Sequence, residues 1–252
     1  MDYCADPAVG RTPRGQGFFG GPPMNVDAGV RIVVAEGRPL YRRALAALLR
    51  SYPGWVVVAE EDSGLDASGA ALRLQPDVVV LDLELVSPDG IETTRRVLAA
   101  CPGAGVLVLT RFGDDRALFE ALCAGARGHL HKGAVHAEIV AAVAAVANGD
   151  AVVGPGVARR LVEFFASPHT ERLSSREAEV LNLVAAGWST ADIAKVLVLS
   201  APVVRGHVTA VVGKLQAVHR AGPDEPGTAD GPAGGTRPAT SRRRGSRRGR
   251  RR

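Results

Sequence analysis

The stretch Asp77–Gly90, DVVVLDLELVSPDG, decides how the rest of the chain is read. Val78, Val79, Val80 and Leu81 form an unbroken apolar run, the mark of a strand buried on both faces of a parallel sheet. The run ends on a carboxylate, Asp82, and Pro88-Asp89-Gly90 turns the chain into the helical pattern IETTRRVLAA. Open α/β sheets take their ligands at the carboxyl ends of such strands. Asp82 is therefore the first candidate functional residue, with a solvated loop carboxylate as the plainer alternative.

Outward from this stretch, strands and helices alternate. VRIVVA (30–35) reads as a buried strand and PLYRRALAALLRS (39–51) as an amphipathic helix. WVVVAEE (55–61) is a second strand, followed by a weaker helix around Leu65–Leu74. After the opening stretch and its helix to Ala100 come GVLVLT (105–110) and a helix over Asp115–Ala124. GHLHK (128–132) is a short fifth strand, and HAEIVAAVAAVANG (136–149) closes the series with Gly149 as its stop. Five strand–helix units with short connections imply an α/β fold with a doubly wound, five-stranded parallel sheet. No GxGxxG or GxxxxGK[ST] follows a strand, which disfavours dinucleotide and P-loop chemistry.

Residues 149–172 read as a linker holding one short helix around Val157–Phe165. A small all-α unit follows over 173–220. Ser174 or Ser175 caps REAEVLNLVAA, with Glu177 spaced as a capping-box partner for Ser174, and Gly187 ends that helix. Thr190 is expected to cap TADIAKVLV, and Ser200 a third helix from Ala201 to about Gln216, with Pro202 in its first turn. Val204, Val208, Val211, Val212 and Leu215 form a buried stripe, opposed by Arg205, His207, Thr209 and Lys214. A short helix, a tight turn and a second, polar-faced helix make a helix-turn-helix.

Residues 1–29, rich in Gly and Pro, are expected to be a disordered extension, with Met24 a candidate start; 221–252 are expected to be a disordered Arg-rich tail. The net charge of +5 belongs to that tail: nine Arg against Asp224, Glu225 and Asp230 give +6, leaving 22 basic against 23 acidic residues, or −1, elsewhere. Such a tail binds any polyanion in a salt-dependent way. Three cysteines without metal-ligand spacing fit a reduced, cytoplasmic compartment. No apolar run reaches membrane-spanning length, and no nucleophile–base pair suggests an enzyme.

Over residues 30–220 the chain resembles the NarL/LuxR-type two-component response regulators. The resemblance implies a flavodoxin-like receiver domain (30–148), phosphorylated by a sensor histidine kinase, and a LuxR-type helix-turn-helix (173–220) that binds double-stranded DNA as a homodimer when active. Asp82 falls on the phosphoacceptor, Thr110 on the hydroxyl that contacts the phosphoryl group, Lys132 on the lysine that pairs with it, and His129 on the aromatic switch position. The family's two adjacent acids, which hold Mg²⁺ with the phosphoacceptor, are here Glu36-Gly37. Gly37 has no side chain, so Glu36 and Asp82 alone would hold the metal and phosphorylation should be weak or absent. Arg205 replaces a DNA-contacting lysine; Arg205, Gly206 and Thr209 would face the major groove, and His207 and Lys214 the phosphates. Thr190 and Ser200, at the helix starts, complete the implied DNA-binding set. The C-terminus is atypical: after Arg220 the chain turns to Gly-Pro where the family has a fourth apolar helix, a break expected of a frameshift or of a truncated paralogue. The leading expectation is a DNA-binding transcription regulator. The competing one is a receiver-type interaction protein with a non-functional helix-turn-helix.

Overall fold

The structure is a computed structural model and describes residues 29–111, 114–168 and 170–221. The expected disordered ends lie outside these, apart from Gly29 and Ala221. The strands are β1 (Arg31–Ala35), β2 (Val56–Glu61), β3 (Val78–Asp82), β4 (Gly105–Thr110) and β5 (Gly128–His131). They form one parallel sheet in the order β2-β1-β3-β4-β5, with α1 (Pro39–Arg50), α2 (Gly64–Leu74), α3 (Gly90–Ala100) and α4 (Asp115–Cys123) as crossovers and α5 (His136–Ala147) following the last strand. This is the flavodoxin-like, doubly wound fold. The chain leaves β1 for β2 on one side and then returns to β3 on the other. The crevice this reversal opens at the carboxyl ends of β1 and β3 is where such sheets bind ligands.

The central strands β3 and β4 are buried at every residue, as their unbroken apolar runs require, whereas edge strand β2 is half-buried. Alternate residues feed two apolar layers. Ile32, Val34, Val78 and Val80 pack under α1 and α5. Val33, Ala35, Val79 and Leu81 pack under α2, α3 and α4, and that layer continues without a break into a helical region carrying Leu161, Leu181, Ile193, Val208 and Leu215.

The helical region comprises α6 (Pro155–Phe165), α7 (Ser175–Ala185), α8 (Thr190–Leu197) and α9 (Ala201–Ala221). Ser174 caps α7 in the expected capping box: its hydroxyl accepts from the Glu177 N–H while the Glu177 carboxylate accepts from the Ser174 N–H. Two local expectations are corrected. Ser189, not Thr190, caps α8, its hydroxyl accepting from the Asp192 N–H; Thr190 is the first helical residue. The last helix also runs past Gln216 to Ala221. Gly206 and Gly213 each cost it about 1 kcal/mol against Ala, but burying the expected valine and leucine stripe at several positions outweighs that. Residues 151–153 are also more ordered than a loose connection. Val152 donates to Arg127 O and accepts from the His129 N–H, so the segment pairs along the outer edge of β5.

Candidate functional site

Asp82 stands at the end of β3 because the chain cannot continue straight. Leu83 still pairs with Leu109 O, and Gly90 then returns to donate to Leu83 O. A Cβ on Gly90 would lie 2.6 Å from Leu83 Cα and 2.9 Å from Asp82 O, so only glycine permits this close return. Asp89 caps α3 by accepting from the Glu92 N–H, which fixes where the helix begins. Lys132, one residue past β5, is placed by its own N–H, which donates to Thr110 O at 2.7 Å.

These constraints bring Glu36, Asp82 and Lys132 into one buried group. Lys132 Nζ lies 2.7 Å from Glu36 Oε2 and 2.8 Å from Asp82 Oδ2, and all three side chains are 5% exposed or less. The approach angles leave Lys132 Nζ and Glu36 Oε2 without a formed hydrogen bond, so the contact is an ion pair by distance. The other carboxylate oxygens are held by backbone: Asp82 Oδ1 accepts from the Glu84 N–H and Glu36 Oε1 from the Arg38 N–H. Tyr41 of α1 covers the group, its hydroxyl donating to Lys132 O and its ring centroid 5.3 Å from Lys132 Nζ. Burial, and then the Glu36 and Asp82 carboxylates, push the Tyr41 phenol above its usual range. Thr110 is buried at the end of β4 beside this corner. On the rim, Glu84 is raised by burial but lowered more by its hydrogen bonds with Arg111, which hold it below the usual carboxylate range.

The residues implied for DNA contact are not on one open face. Arg205 is half-buried with Nε 2.8 Å from Asp150 Oδ2, and Thr209 Oγ1 accepts from the Ala151 N–H at 2.8 Å. Two turns further on, Gln216 Nε2 donates to Leu122 O in the last turn of α4 and to Ala126 O just after it. His219 stacks on Phe164 of α6 with centroids 5.7 Å apart. Lys214 faces inward to Glu177 at 3.0 Å, a bond that raises the lysine's pKa and ties α9 to the start of α7. Gly206 is exposed, with nothing within 4 Å of where its Cβ would be, and His207 is half-buried. Thr190 opens α8 near Arg205, and Ser200 precedes α9, its carbonyl accepting from the Val204 N–H. Tyr41, Asp150 and Gln216 escaped sequence reasoning. Their partners lie 55–94 residues away, a separation that carries no local pattern.

The sequence profile of the response regulator receiver domain matches residues 32–144, and that of the bacterial regulatory proteins of the luxR family matches residues 171–222. The chain is 31% identical over 197 residues to the transcriptional regulatory protein LiaR of Bacillus subtilis (strain 168), a match covering 76% of this chain and 93% of LiaR. The chain belongs to the LuxR-type response regulators. It is also 31% identical to the oxygen regulatory protein NreC of Staphylococcus epidermidis (strain ATCC 12228 / FDA PCI 1200), covering 74% of this chain and 91% of NreC. Among solved structures, a LuxR-family two-component response regulator from Aurantimonas sp. SI85-9A1 matches with TM-score 0.51 at 31% identity, over 56% of this chain and all of that one. This LuxR-type regulator is thus a DNA-binding two-component response regulator, in a family of transcriptional regulators rather than enzymes.

Receiver domains typically bind Mg²⁺, and the residues of this regulator fit that ion poorly. The two carboxylate oxygens that would receive it both lie against the Lys132 ammonium. The position of the third acid is Gly37, where a Cβ would find its nearest neighbours at 3.8 Å. The space for a carboxylate is there, but the carboxylate is not. Among the described residues no cluster of three His, Cys, Asp or Glu side chains is placed to hold a metal, and no single helix is long and apolar enough to cross a membrane.

Proposed function

We propose that this protein is a cytoplasmic, non-enzymatic transcription regulator that binds double-stranded DNA as a homodimer through α8 and α9, and whose receiver corner is indifferent to phosphate. Asp82 is its nominal phosphoacceptor, with Thr110, Lys132 and His129 in the phosphoryl-contacting and switch positions. With Gly37 in place of the second acid and the Lys132 ammonium against both remaining carboxylates, Mg²⁺ would be held weakly, and a sensor kinase would gain little by addressing Asp82.

One observation carries the mechanism: Arg205 and Thr209 of α9 are engaged by Asp150 and Ala151. Base edges and this segment compete for the same two side chains, so DNA binding through these residues requires the seam to open. The half-buried Arg205–Asp150 pair contributes on the order of 1 kcal/mol to the closed form. Each Gln216 hydrogen bond adds about as much. A closed form held by a few kcal/mol is one that DNA itself shifts.

The test is a gel shift on the protein's own promoter, using the full chain, its Asp150→Ala variant and residues 1–221. The expected result is sequence-preferring binding by all three, about fivefold tighter for Asp150→Ala. Binding only by the tail-bearing forms, without sequence preference, would overturn the reading. So would a stable phosphoryl mass gain, abolished by Asp82→Asn, on incubation with a small phosphodonor and Mg²⁺, as far as the silent receiver is concerned.

A further inference from the structure

Between β5, the first turn of α4, the loop after β5 and the start of α6 lies a cleft of about 430 Å³. Small-molecule sites run from about 300 to 1,000 Å³. Its apolar walls are Leu118, Leu130, Ala134 and Pro155. Most of its polar groups are already used. His131 contacts Arg111 O through Nε2 and accepts from the Gly133 N–H at Nδ1, and Glu138 accepts from the Val135 N–H.

His129 is different. Its Nδ1 is buried without a hydrogen-bond partner, while Nε2 approaches Gly154, 3.2 Å from where a Cβ there would stand. Leaving such a group buried and unpaired costs stability that a partner would recover. Burial pushes the imidazole down to about 4, so near neutral pH the ring is uncharged, with one nitrogen carrying hydrogen and the other able to accept. Among the described residues lining the cleft, the charged side chains are acidic, Asp115 and Glu138, with no Lys or Arg. An anion is therefore disfavoured, and a hydrogen-bond donor with positive charge is favoured.

We propose that this cleft binds a small, mainly apolar amine. Its N–H groups are directed to His129 and Asp115, and its apolar part lies on the Leu118, Leu130, Ala134 and Pro155 wall. The occupant rests against Gly154-Pro155, where α6 begins, and α6 carries Phe164 against His219 of α9. A ligand here therefore touches the element that backs the closed form. The inference does not depend on how DNA is read, because binding is measured without DNA.

The full-length protein is titrated with phenethylamine and, separately, with phenylacetate, which has the same ring and chain length but the opposite charge. Histidine ring resonances are followed by NMR, and His129→Phe assigns the His129 signals. The expected result is saturable binding of the amine that moves the His129 resonances. Binding should weaken about tenfold in Asp115→Asn, with phenylacetate at least tenfold weaker than the amine. Ala134→Leu, which fills the cleft, should abolish binding; should it fail to fold, the Asp115→Asn and phenylacetate comparisons decide alone. No saturable amine binding, unmoved His129 resonances, or equal binding of the acid would each overturn the proposal.

Discussion

The corner around Asp82 and the seam along α9 are both held by charge, but at very different depths. Lys132, Glu36 and Asp82 are 5% exposed or less, and the carboxylate oxygens facing away from Lys132 are held by backbone N–H groups. The Arg205–Asp150 pair is 21% and 26% exposed, and the other seam bonds use side chains at the edge of packed helices. Removing one partner from a buried group strands an uncompensated charge, whereas water readily replaces a half-exposed partner. The corner should therefore stay shut over the whole range in which the protein is folded, and the molecule should open at the seam.

The largest expected effect tests the corner directly. Lys132→Met keeps the volume but leaves two carboxylates together, and should cost about 3–5 kcal/mol in urea unfolding. A loss under about 1 kcal/mol would mean the corner is solvated like the seam, and the contrast would collapse.

Next comes His129, which lies between the two regions. Its folded pKa of about 4 is below the unfolded value of about 6.5, because burial disfavours the cation. The unfolded chain therefore takes up the proton first. This contribution is whole above about pH 6.5, falls as the pH falls, and is lost by about pH 4, amounting to about 3 kcal/mol. Denaturant titrations at a series of pH values should show that slope in the native protein and a flatter one in His129→Phe.

Gly37→Asp sharpens the comparison by restoring the missing acid into space that is already open. The variant should gain about 1.4 kcal/mol of stability at a magnesium concentration roughly ten times its dissociation constant, while the native protein should show no such shift. A native protein that responds to magnesium as the variant does would show that Lys132 yields its place.

The smallest effect lies beside the seam. Val198 ends α8 with φ +54° and is 89% exposed, a left-handed conformation that a β-branched residue adopts at a cost. Val198→Asn should raise stability by about 0.5–1 kcal/mol without altering the α9 contacts, as read by urea midpoint and gel shift.

Much of the architecture is legible in local patterns. The apolar run Val78–Leu81 marks a central strand because only a strand covered on both faces tolerates it. The spacing of Val204, Val208, Val211 and Leu215 marks the buried side of α9 because the helical period allows no other. The cap of α8 is Ser189 rather than the adjacent Thr190, because the two offer nearly the same chemistry and backbone geometry alone decides between them. The helix α9 runs on to Ala221 beyond the apolar stripe that ends at Leu215, in a stretch where His219 packs on Phe164 of α6, a partner no local pattern announces.

The sequence by itself determined the fold class, the strand ends carrying Asp82, Thr110 and Lys132, and the empty place at Gly37, because these follow from periodicity and from which side chains are present. Only the tertiary structure decided that Lys132 stands between Glu36 and Asp82, and that Arg205 and Thr209 are spent on Asp150 and Ala151. Those outcomes depend on which surfaces meet across the sheet and along α9, and a side chain's available partners are set by that packing rather than by its neighbours in the chain.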